Sequence, residues 1–124
     1  MNDSLRKGLR FEDQARRYLA AQGLDLLESN YRCRFGEIDL IMRDAGTLCF
    51  IEVRFRKSLH FGGASASITP AKQRRIAKAA MFYLSSLSKN PWQQPMRFDA
   101  LLIQQQPGSG LDFNWIQNAF YAEQ

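Results

Sequence analysis

Apolar positions along the chain follow two rhythms, one of about three and a half residues and one of two. From Ser4 to Gln22 the first rhythm holds, with Phe11, Ala15, Tyr18 and Leu19 on one stripe. This predicts a helix that Asp3 or Ser4 can cap and that Gly23 can end in the left-handed conformation. Leu24 to Tyr31 reads as a short extended segment. Glu37 to Arg43 and Thr47 to Arg56 alternate as strands around a short turn at Ala45-Gly46, which predicts an antiparallel hairpin. Lys57 to Ser67, which holds His60, Phe61, Gly62 and Gly63, has no period and reads as a mobile loop. Thr69 and Pro70 then open a second helix, as cap and first helical residue. It runs to about Leu87, with Ile76, Ala80, Leu84 and Leu87 facing the core. Asn90 to Pro95 is a connection, and Arg97 to Gln104 and Asp112 to Phe120 are two more strands around a turn at Gln105 to Gly110. Helix, three strands, helix, two strands predicts a mixed α/β domain with a sheet of about five strands flanked by helices.

A turn symmetric about Ala45-Gly46 pairs residues whose numbers sum to 91. Asp39 then opposes Glu52, and Glu37 opposes Arg54. Alternation puts Ile38, Leu40, Met42, Cys49, Ile51 and Val53 on one face, all apolar. The other face carries Ile41, Leu48 and Phe50 near the turn, with Arg43 among them, and Glu37, Asp39, Glu52 and Arg54 away from it. So much apolar surface on the second face predicts a covering helix, with the acids at its edge. Opposed carboxylates repel by a few tenths to ~1 kcal/mol. A divalent cation between them removes that repulsion, and oxygen ligands suit Mg2+ or Mn2+. The plain alternative is an ion-pair ladder on an exposed sheet, of equal weight on these residues alone.

Composition narrows the field. The 124 residues predict one domain spanning the whole chain. No apolar run approaches the ~20 residues of a membrane span, and the N-terminus lacks the apolar core of a signal peptide. Cys33 and Cys49 form no CxxC pair and His60 stands alone, which argues against zinc and for a reducing cytoplasm. The net charge of +5 suits a polyanionic partner. Lys72, Arg74, Arg75 and Lys78 concentrate positive charge on the second helix, where phosphates could be held without reading bases. A solvated helix face explains that run equally well in isolation. Tyr31, Phe61 and Trp92 are candidates for stacking unpaired bases, with packing the commoner use of such rings.

The segment Gly36-Glu37-Ile38-Asp39-Leu40-Ile41, followed by Phe50-Ile51-Glu52-Val53-Arg54, resembles the Asp…Glu-x-Lys pattern of the restriction-endonuclease-like superfamily. The whole chain resembles the YraN-like family of small bacterial proteins, related in fold to archaeal Holliday-junction resolvases. The matching marks are Gly8, Glu12 and Ala15; Asn30-Tyr31-Arg32; Gly36 to Asp39; Glu52-Val53-Arg54; Lys72 and Arg75; and Arg97-Phe98-Asp99. The resemblance implies a restriction-endonuclease-like α/β fold, with Glu12, Asp39 and Glu52 around Mg2+ or Mn2+. It also implies a catalytic set of Asp39, Glu52 and the residue at 54, nucleic acid (DNA, branched forms included) as partner, and a homodimer by analogy.

The departure from the pattern is Arg54, where the superfamily has lysine. Arginine binds phosphate well but does not give up a proton. Lys57 and Lys72 could substitute for that lysine in space. Arg54 is also the cation that the register sets closest to Glu37, Asp39 and Glu52. The expected function is therefore a metal-dependent nuclease. A nuclease-fold DNA-binding module without catalysis is the alternative, and a protein-interaction domain a third reading.

Overall fold

A computed structural model describes residues 3–56, 68–90, 93–108 and 110–121, with the side chains of the first helix described from Phe11 onward. The loop from Lys57 to Ser67, Trp92 and the capping side chains expected at Asp3 or Ser4 lie outside the described residues and side chains. The elements are α1 (Asp3–Ala21), β1 (Asp25–Cys33), β2 (Gly36–Asp44), β3 (Thr47–Arg56), α2 (Pro70–Ser86), β4 (Met96–Gln105) and β5 (Leu111–Phe120). They occur in the order that the hydrophobic rhythm predicts. Gly23 ends the first helix at φ +103, open to glycine without strain. The Thr69 hydroxyl accepts the Lys72 N–H at 3.1 Å and caps α2, with Pro70 in its first turn.

The strands form one sheet in the order β1-β2-β3-β4-β5. Neighbours are antiparallel except β3 and β4, which run parallel. Parallel neighbours need a crossover, and α2 lies within it. The β2–β3 ladder runs from Asp44 opposite Thr47 to Leu40 opposite Ile51, every pair summing to 91 as expected.

Each helix covers one face. Against α2 lie Ile38, Ile41, Leu48, Phe50, Phe98 and Ala100, meeting Ile76, Ala79, Ala80, Tyr83 and Leu84. Against α1 lie Leu40, Met42, Cys49, Ile51, Leu101 and Ile103, meeting Ala15 and Leu19. Phe11 stacks on Phe55 and Tyr18 on Phe113, extending this second core to the ends of β3 and β5. The chain is an α/β protein with a restriction-endonuclease-like five-stranded mixed sheet between two helices.

Two expected side-chain placements change. Ile38 joins the α2 core and not the Leu40 face, because the regular β2–β3 ladder ends at Leu40 and strict alternation no longer binds the residues beyond it. Leu87 is 44% exposed and not core, since α2 stops at Ser86 and Ser88 turns the chain away at φ +57. Ala79 and Tyr83 complete the buried stripe instead.

One buried polar cluster ties the far side of the sheet together. Asp99 has no exposed surface. It accepts hydrogen bonds from Arg97 Nε, Trp115 Nε1 and the Asn118 N–H, each at 3.0 Å. Arg97 also reaches Asp44 at 2.9 Å, linking the bulged β4–β5 pair to the β2–β3 turn.

Candidate functional site

The site begins where β2 leaves β3. Continuing the register beyond Leu40 would set Ile38 opposite Val53. The Val53 N–H instead donates to the Asp39 carboxylate at 2.8 Å. A side-chain oxygen has taken the place of a ladder carbonyl, which satisfies the amide and holds Asp39 between the strands. On the other edge of β2 the β1 register is unbroken at this point, but one β1 residue leaves strand geometry. Ser29 pairs with Leu40 and Tyr31 with Ile38, while Asn30 between them adopts φ +53. Asparagine tolerates that left-handed conformation better than most residues.

Glu52 follows on β3, only 6% exposed. A buried carboxylate is costly unless other groups replace its water. Two do so here. The Asp39 carboxyl is hydrogen-bonded to it. Lys72 Nζ lies 3.1 Å from its Oε1. Burial pushes the Asp39 carboxyl up to about 7, and the charge of Glu52 adds to that, while the Val53 N–H and Lys72 pull the other way. Their hydrogen bond sets the Asp39 and Glu52 carboxyls side by side, although the regular ladder stops short of them at Leu40 and Ile51.

Lys72 reaches Glu52 from the first turn of α2, where Thr69 holds its backbone. That turn carries the unpaired N–H groups and the positive end of the helix dipole. It contains no acidic residue to offset this charge. Lysine, cap and dipole thus converge beside the acid pair.

Glu12 stands nearby on α1, half-buried. Burial raises its carboxyl above the ordinary range, its hydrogen bond with Asn30 opposes this, and the charges of Asp39 and Glu37 raise it further. Its carboxylate is occupied by Asn30. Among the described residues no three His, Cys, Asp or Glu side chains are gathered tightly enough to hold a metal ion as they stand. Glu37 turns outward to an exposed pair with Arg32 at 3.2 Å. Arg54 is half-buried on the same face of β3 as Glu52, since Val53 and Phe55 between and beyond them belong to the α1 core. Arg74, Arg75 and Lys78 are exposed along α2. Tyr31 packs edge-on against Tyr83 and serves the core.

Two parts of this arrangement were not assigned from sequence. Asn30 lies within β1 among the residues that carry the family resemblance, but nothing there marks it as the partner of Glu12. Lys72 is, with Lys57, one of two lysines the sequence offers in place of the missing strand lysine, and its contact with Glu52 is what the sequence does not show. The donor set suits a hard divalent cation in part: two adjacent carboxylates, one releasing its proton near neutrality, with room in the chemistry for water or phosphate oxygens to complete the shell.

The chain matches the family model described as uncharacterised protein family UPF0102 over residues 11–103. A UPF0102 protein of Nitrosomonas eutropha is 51% identical over 120 residues, covering 97% of each chain. One from Nitrosospira multiformis is 51% identical over 114 residues, 92% of each chain. One from Psychromonas ingrahamii is 52% identical over 114 residues, 92% of this chain and 88% of the relative.

Proposed function

Because the chain belongs to the uncharacterised protein family UPF0102, we propose a function from its own site: a nucleic-acid-binding protein with a metal-dependent site for hydrolysing phosphodiesters of DNA, branched forms included. The observation that carries this reading is the Asp39–Glu52 pair at the fork between β2 and β3, with Lys72 on Glu52.

Asp39 and Glu52 would hold Mg2+ or Mn2+, with Glu12 the next carboxylate in reach of their field. When bound, that ion polarises the scissile phosphate and lowers the pKa of bound water. The chain's own groups do the rest. Asp39 gives up its proton near pH 7 and so presents a second anionic ligand. The Val53 N–H keeps its carboxylate from rotating away. Lys72 offers an amine beside Glu52, where it can orient water and stabilise charge developing on phosphate oxygens. This is the role that lysine on the third strand would play, moved to a helix. Arg54 adds a second cation for phosphate on the same face, and Arg74, Arg75 and Lys78 continue the positive surface along α2. A reducing cytoplasm suits the free Cys33 and Cys49. No helix among the described residues is long and apolar enough to cross a membrane.

The test is cleavage of single-stranded, duplex, flap and four-way DNA with Mg2+ or Mn2+. The expected result is metal-dependent cleavage of at least one substrate, abolished in Asp39→Ala. Arginine at position 54 favours a second reading, a binding module that does not cleave. Wild type that binds DNA but cleaves none of these substrates would establish that second reading.

A further inference from the structure

Beyond the acids, the turn between β1 and β2 leans against α2. The Arg34 guanidinium lies 4.8 Å from the centre of the Phe35 ring and 5.8 Å from that of Phe82. The two rings meet edge to face at 5.8 Å. Gly36, at φ +150, allows this approach: a Cβ there would lie 3.4 Å from the Cβ of Arg75. An L side chain would strain the backbone at that φ, while its Cβ would sit at ordinary contact distance from Arg75. The hairpin turn is therefore fixed beside the helix.

Phe82 is 39% exposed although its neighbours Ala80, Tyr83 and Leu84 are buried. Arg75, Lys78 and Phe82 are spaced three and then four residues apart, so they share one side of α2. Lys72 precedes Arg75 by a further three and starts the same line at the acid pair. From Lys72 to Phe82 the helix rises about 15 Å. At ~3.4 Å per stacked base, that is about four bases along a strand. The charged groups on the line are cations, and α2 contains no acidic residue.

We propose that this line is a track for a nucleic-acid strand: phosphates lie along Lys72, Arg75 and Lys78, and an unpaired base stacks on Phe82 beside Arg34. The inference rests on the nucleic-acid reading above and adds that the substrate carries unpaired bases a few nucleotides from the cleaved bond. Cations alone bind duplex and single strand alike. An exposed ring with a guanidinium over it adds a stacking surface that only an unstacked base can use. A protein partner would be expected to meet mixed charges, and here the charge has one sign.

The experiment is fluorescence anisotropy in EDTA at low salt, with a labelled single-stranded oligothymidylate and a blunt duplex of equal length. Wild type is expected to bind the single strand more tightly. Phe82→Leu keeps an apolar side chain but removes the π face, and it should weaken single-strand binding five-fold or more while leaving duplex binding unchanged. Phe82→Trp should retain binding, and Arg34→Gln should weaken it. Thermal melting of each variant separates these effects from loss of fold. If wild type binds neither oligonucleotide, the nucleic-acid reading falls and this one with it. If wild type binds and both Phe82→Leu and Arg34→Gln match it, this proposal alone is overturned, and the aromatic pair belongs to a protein contact.

Discussion

Lys72 Nζ stands 3.1 Å from Glu52 Oε1, so the cation paired with the buried strand acid comes from the first turn of α2. The two residues are brought together by the crossover between β3 and β4. The same crossover puts the helix dipole at the acid pair and directs the exposed cations of α2 away from it.

Lys72→Ala should lower any cleavage rate by a hundred-fold or more, the scale of a lost proton-transfer or charge-stabilising group. It should also cost on the order of 1–3 kcal/mol in urea unfolding, because Glu52 keeps its burial without its cation. Arg54→Lys should leave cleavage intact, and combined with Lys72→Ala it should recover part of the lost rate. A Lys72→Ala protein that cleaves as fast as wild type would remove the lysine from the mechanism.

Stability should depend on pH through Asp39. Its carboxyl titrates near 7 in the folded chain against 3.8 for the free group. The folded state therefore keeps a proton that the unfolded state releases. The stability this provides is complete below about pH 4 and is lost as pH rises to about 7 and beyond. Asp39→Asn can still accept the Val53 N–H and can donate to Glu52 permanently. It should melt higher than wild type at pH 8 and show a flatter profile between pH 4 and 8. Parallel profiles for the two proteins would contradict a raised Asp39 carboxyl.

Divalent cations should act on the same pair. Mn2+ at pH 8 should raise the melting temperature of wild type, by an amount that corresponds to about 2.7 kcal/mol at a hundred times Kd. The rise should be smaller at pH 5.5, where the Asp39 proton competes with the ion. Asp39→Asn should show almost none of it. An equal rise in both proteins would place the ion elsewhere.

Asp99 concerns stability alone. Asp99→Ala leaves Arg97, the Trp115 indole N–H and the Asn118 N–H without their common acceptor. The expected loss is about 3–5 kcal/mol in urea unfolding, as for other buried pairs broken on one side. A loss under 1 kcal/mol would mean that water or Asp44 takes over the acceptor role.

Much of this protein is legible in its residue pattern, for a local reason. Helix and strand periods, the Thr69-Pro70 cap and the Ala45-Gly46 turn all act within a few residues. A turn dictates the register of the hairpin that it closes, so Asp39 and Glu52 could be paired on paper. The same reasoning put Cys49 in the core and a helix over Phe50 and Leu48. Outcomes that depend on distant segments meeting were not legible. Ile38 changes face because the ladder ends at Leu40, and Asn30 becomes the partner of Glu12 only when α1 folds over β1. Lys72 reaches Glu52 only when the crossover helix docks. Packing between layers, which no strand register shows, is what sets the Lys72 amine against Glu52.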